Sequence, residues 1–150
     1  MEQHPEDAFV TLVGALTAEL PAGSATGLFE RGAAQDSTGH PEQAVALYRA
    51  ALRAGLTGLR RRRATIQMAS SLRNLGEAAE AVALLTTELN APDDELGGAV
   101  RGFLALALTD LGREREAVSV SLTALAQYLP RYNRSLARHA HQLVAGEDTE

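Results

Sequence analysis

Three stretches with one pattern, Gly-x-x-x-x-Ala, occur at Gly39–Ala44, Gly76–Ala81 and Gly112–Ala117, their glycines 37 and 36 residues apart. A period of this length is one helix, a turn and a second helix. Such a pair is too thin to bury its own apolar face, so the units must stack to make a core. With 150 residues the chain is predicted to be one helical-repeat domain over 1–150. Composition agrees: the chain is 45% hydrophobic but only 4% aromatic, with Ala and Leu supplying most apolar side chains. That mixture favours close-packed helices over a β-sandwich.

Hydrophobic spacing places eight helices along the chain. A first helix over 6–20 carries Phe9, Leu12, Val13, Leu16 and Leu20 every three or four residues and stops at Pro21-Ala22-Gly23. Ser24 is expected to cap the second, and Pro41 to start the third, whose apolar positions are Ala44, Val45, Leu47, Tyr48, Ala51 and Leu52. Thr57 is the expected cap of the fourth, and Asp93 or Asp94 that of the sixth. A seventh helix runs from Glu114 to about Leu129, where Pro130 ends it. The eighth fills 131–145 before an acidic end, Glu147 to Glu150. The repeats are predicted at 24–56, 57–92 and 93–129, with the first and last helices flanking them. Seven residues before each repeated glycine stand Gly32, Ala69 and Ala105, and five after it Ala44, Ala81 and Ala117. Anything larger than a methyl group at the first set is expected to push paired helices apart.

Gly32, Gly39, Ala44, Tyr48 and Ala51, then Ala69, Gly76, Ala81 and Leu85, then Ala105, Gly112, Ala117 and Ala124, resemble the tetratricopeptide repeat. That pattern has a small residue inside the first helix, glycine at the turn, alanine early in the second helix, a large residue four positions on and a further alanine. Glu88 and Ser121 depart from it. So do Thr65 and Arg101 where a large residue is expected. The stretches Ser71–Gly76 and Phe103–Arg113 resemble a small bacterial branch of this family without assigned chemistry. The resemblance implies an all-α, short right-handed solenoid whose first helices line a concave face that receives a peptide or partner helix. Carried onto this chain, the candidate partner-binding residues are Phe29 from the first repeat, Arg63, Ile66, Ser70, Arg73 and Asn74 from the second, and Phe103 and Leu106 from the third.

Charge sharpens this reading. Arg60-Arg61-Arg62-Arg63 occupy the first turns of a predicted helix, where positive charge opposes the helix dipole. Helical projection puts Arg63, Ile66, Ser70 and Arg73 on one side, suited to an acidic partner, with Arg134 and Arg138 extending the positive surface. Solvated surface arginines are the plainer reading of the same residues.

Other classes fit less well. Net charge is −5, and no aromatic stacking series or zinc motif accompanies the arginines, which argues against nucleic acid. There is no cysteine, His139 and His141 are two apart and diverge on a helix, and Glu77 with Glu80 or Glu114 with Glu116 read as helix-start acids rather than a catalytic pair. No cofactor, no metal and no enzymatic activity are expected. No apolar stretch reaches the length that spans a bilayer, and the acidic start at Met1–Asp7 is unlike a secretory signal, so the expected compartment is the cytoplasm. The expected function is protein or peptide recognition. The alternative is a homo-oligomeric scaffold held by Phe9, Val10, Val13 and Leu16 or by Leu136 and Val144.

Overall fold

The computed structural model describes residues 4–146, and all regular structure among them is helical. The acidic end, Glu147 to Glu150, and Met1 to Gln3 lie outside the described residues. Eight helices follow in order: α1 Pro5–Thr17, α2 Ala25–Ser37, α3 Pro41–Arg53, α4 Gly58–Asn74, α5 Ala78–Leu89, α6 Gly97–Asp110, α7 Glu114–Ala126 and α8 Asn133–Gln142. Two compact units contain them, Met1–Glu77 with α1 to α4 and Ala78–Glu150 with α5 to α8. The boundary falls inside the second expected repeat.

In the first unit α2 packs along α3, α3 along α4, and α1 leans on α2. Ser24 caps α2 as expected, its Oγ accepting the N–H of Gly27 at 3.3 Å. The core is Phe29, Ala34, Ala44, Val45, Tyr48 and Ala51 with the inner face of α4. Gly32 permits a closer approach than the sequence suggested. A Cβ there would sit 2.9 Å from Cδ1 and Cε1 of Tyr48, so even a methyl group does not fit beside that ring. The Tyr48 hydroxyl donates to Asp36 Oδ2 at 3.3 Å and Ser71 Oγ donates to Asp36 Oδ1 at 2.9 Å, joining α2, α3 and α4 through one carboxylate.

In the second unit α6 packs along both α5 and α7, and α7 along α8. Val100, Leu104, Ala105, Ala107, Leu108 and Ala117 are buried. Ser119 Oγ donates to the Ala140 carbonyl at 2.7 Å and Arg115 Nε to the Leu143 carbonyl at 2.5 Å, seating α8 on α7.

The three repeated glycines close their helices in one way. Gly39, Gly76 and Gly112 have φ of 77°, 84° and 72°. The next residue's N–H reaches back five residues: His40 to Gln35, Glu77 to Leu72 and Arg113 to Leu108, at 2.9, 2.8 and 2.9 Å. This left-handed C-terminal cap is cheap only for glycine.

Several expected details differ. Thr57 precedes α4 in extended backbone but makes no capping hydrogen bond. The sixth helix starts at Gly97 with neither Asp93 nor Asp94 as its cap: Asp94 Oδ1 accepts the Leu96 N–H in the turn before it, and Asp93 turns toward Arg101 at 3.5 Å. α7 ends at Ala126, and α8 waits until Asn133 because Tyr132 takes a left-handed conformation. Finally, α1 buries none of its residues and leaves Phe9, Leu12 and Leu16 exposed, while Leu20 beyond its end lies against Gly27 of α2.

Candidate functional site

α4 carries five arginines and no acid, and the structure sorts them. Arg62 is buried and Arg61 half-buried, while Arg60 and Arg63 are exposed. Arg60 Nε lies 3.8 Å from Glu30 Oε1 on α2. Both ends of that pair are solvated, so it adds little stability. Arg63 is held differently. Its guanidinium carbon lies 5.3 Å above the centroid of the Phe29 ring, and Phe29 packs in turn against Tyr48, with centroids 6.1 Å apart and planes tilted by 43°. A cation over an aromatic face is attracted by the ring quadrupole, which orders an otherwise flexible side chain.

Beneath this stack, burial pushes the Tyr48 phenol well above its usual range, and the adjacent Asp36 carboxylate adds to the effect. The hydroxyl therefore stays protonated and acts as a donor to Asp36. Asp36 is thereby committed to two O–H donors within the unit.

The expected site residues fall at different depths. Arg63 and Asn74 are exposed, Ser70 and Arg73 half-buried, Ile66 buried, and Phe29 fully buried. Phe29 and Ile66 thus support the surface from below, and Arg73 is engaged within the protein. Two neighbours escaped the projection from sequence. Leu59 is exposed and Gln67 half-buried, and with Arg63 they make an i, i+4, i+8 line that Ser70 and Asn74 continue. Only that spacing would have found them. The Oε1 of Gln67 is enclosed without a hydrogen-bond donor.

In the second unit Phe103 is half-buried and Leu106 exposed. Leu106 lies in a cleft of about 450 Å³ between α6 and α7, lined also by Gly102, Thr109, Val118 and Leu122. Arg134 and Arg138 are exposed on α8. Of the acids, Glu116 is held by Arg113 through two 2.7 Å hydrogen bonds. Among the described residues no group of three His, Asp or Glu side chains could hold a metal ion, and no helix is long and apolar enough to cross a membrane.

No curated protein and no solved structure matches the chain. The family model described as Tetratrico peptide repeat matches residues 25–143, from the start of α2 to just beyond α8. With the glycine-closed helix ends, the small residues at Gly32, Ala69 and Ala105 and the pairing of successive helices within each unit, that match means the chain belongs to the tetratricopeptide repeat family.

Proposed function

We propose that this chain is a non-enzymatic binding module whose α4 face receives an acidic peptide segment of a partner protein. One observation carries the reading: Arg63 is exposed yet anchored over Phe29, so its charge is presented to solvent in a defined place. A pre-ordered guanidinium loses less side-chain entropy on pairing with a carboxylate than a free one. Ser70 and Asn74 follow on the same line, about 10 and 16 Å along the helix from Arg63 at 1.5 Å per residue. That reach matches roughly five residues of extended chain at 3.3 Å each. Leu59 offers an apolar contact at the other end. Family membership supports a protein or peptide partner, and the exposed Arg63 on a helix that carries no acid supports an acidic one.

The test is fluorescence anisotropy with a panel of labelled peptides rich in Glu and Asp, each paired with its Gln and Asn counterpart. Acidic peptides should bind and weaken as salt is raised, and Arg63→Glu should lower affinity by about tenfold or more with helicity unchanged. Equal binding of acidic and neutral peptides, or an Arg63→Glu variant that binds like the wild type, would overturn the proposal.

A further inference from the structure

We propose that copies of this chain associate head to tail, the apolar stripe of α1 in one copy docking on the corner where α7 meets α8 in the next. This surface is separate from the α4 face and goes beyond peptide recognition there.

The first half of the contact is unpartnered. Phe9, Leu12 and Leu16 recur at i, i+3 and i+7 and are 46, 56 and 57% exposed, while α1 rests on α2 through the half-buried Val10, Val13 and Thr17. Contiguous apolar surface of this kind marks a contact site.

Charge selects the occupant. Residues 1–30 contain no Lys or Arg but include Glu6, Asp7 and Glu19, whereas the stretch that forms the corner, bounded by Glu116 and Glu147, contains no Asp or Glu but includes Arg131, Arg134 and Arg138. Pairing α1 with the α1 of a second copy would bring acids against acids. Pairing it with the α7–α8 corner brings acids to arginines. The corner also supplies apolar area: Tyr128 and Tyr132 are 71 and 79% exposed. Tyrosine and arginine together are the side chains that dominate binding energy at protein interfaces. Tyrosine faces meet the stripe while the arginines meet Glu6 and Asp7.

The corner is built to hold this shape. The Tyr128 hydroxyl lies across Gly98 at the start of α6, where a Cβ would come within 2.7 Å of it. Tyr132 has φ of 66°, the sole positive value at a non-glycine among the described residues, and its carbonyl accepts the Leu136 N–H at 2.8 Å. A tyrosine kept in this costly conformation at an exposed turn is a feature of sites under functional constraint.

The contact joins two different surfaces, so each added copy leaves one of each open and assembly grows with concentration until a ring closes. The test is light scattering coupled to size exclusion, from micromolar to submillimolar protein at low and high salt. One variant alters α1 (Leu12→Ser with Leu16→Ser) and another the corner (Arg134→Glu with Arg138→Glu). All four positions are at or near the surface, so helicity by circular dichroism should be kept. Wild type should grow in mass with concentration and shrink with salt, and each variant alone should self-associate about tenfold more weakly or not at all. Mixed together they should form a dimer with one copy of each and nothing larger, because one intact face remains on each. Adding Glu6→Arg and Asp7→Arg to the corner variant should restore growth. A wild type that stays monomeric throughout, including one whose corner retains RNA or DNA instead, would overturn the proposal. So would an α1 variant that loses association while the corner variant associates like the wild type, which indicates symmetric α1 pairing, or a mixture that stays monomeric.

Discussion

Replacing Gly32 by alanine sets helix propensity against steric fit. In a helix interior alanine is favoured over glycine by about 1 kcal/mol. The added Cβ, however, would lie 2.9 Å from two ring carbons of Tyr48 and 3.3 Å from Leu47 Cβ. Carbon contacts are normally near 3.5 to 4.0 Å. Tyr48 has little room to yield, since it is fully buried, tilted against Phe29 and hydrogen-bonded to Asp36. Relief must come from moving α3, and overpacking of this kind costs about 1 to 3 kcal/mol. Taking the middle of that range, Gly32→Ala should destabilise by about 1 kcal/mol net. The second repeat carries Ala69 and Leu85 at the equivalent positions. In a Tyr48→Leu background, costly in itself, Gly32→Ala should therefore change sign and stabilise by up to about 1 kcal/mol, a coupling of about 2 kcal/mol. Urea unfolding of the four proteins by circular dichroism measures this. A Gly32→Ala effect equal in both backgrounds, or a stabilisation in the presence of Tyr48, would refute the reasoning.

Three further outcomes follow from the same structure. Because the Tyr48 phenol is raised by burial and by Asp36, its contribution to stability is complete below about pH 10 and is lost above it by about 1.4 kcal/mol per pH unit. Tyr48→Phe should flatten that alkaline decline in a pH series of unfolding curves. Gly76→Ala forces a methyl-bearing residue to φ of 84° and should cost about 1 to 2 kcal/mol in chemical denaturation, with Gly112→Ala similar and Gly76→Asn milder. Ser24→Ala removes the cap on α2 and should cost about 0.5 to 1 kcal/mol, at the low end because the 3.3 Å bond is long.

The hairpin turns were legible in the sequence because their conformation is local: a glycine needing positive φ after an apolar helix signals itself at Gly39, Gly76 and Gly112 alike. Helix starts were less legible where several polar residues compete. Thr57 reads as a cap by type yet makes no such bond, and Asp93 reads as a cap but prefers Arg101. Depth was the main gap at the candidate site. Helical spacing tells which residues share a side, so Arg63, Ile66, Ser70 and Arg73 group together in the sequence. It does not tell how far the neighbouring helix reaches, so Phe29 and Ile66 were expected on the open face and lie beneath it. Four consecutive arginines look alike in a sequence, while packing separates buried Arg62 from exposed Arg63. The stripe on α1 repeats every three or four residues like any inward face, and periodicity alone carries no sign for which side the core is on.

The carboxylate of Asp36 bridges residues 35 apart in the chain, almost one whole period, through Ser71. At the positions equivalent to Ser71 the other repeats have Ala34 and Ala107. Helices that share a backbone plan are thus not interchangeable parts: the alanine of another repeat in place of Ser71 would face Asp36 Oδ1 with a methyl group and remove its donor. One oxygen on a serine gives the array a fixed reading order, which a core made of alanine and leucine could not supply.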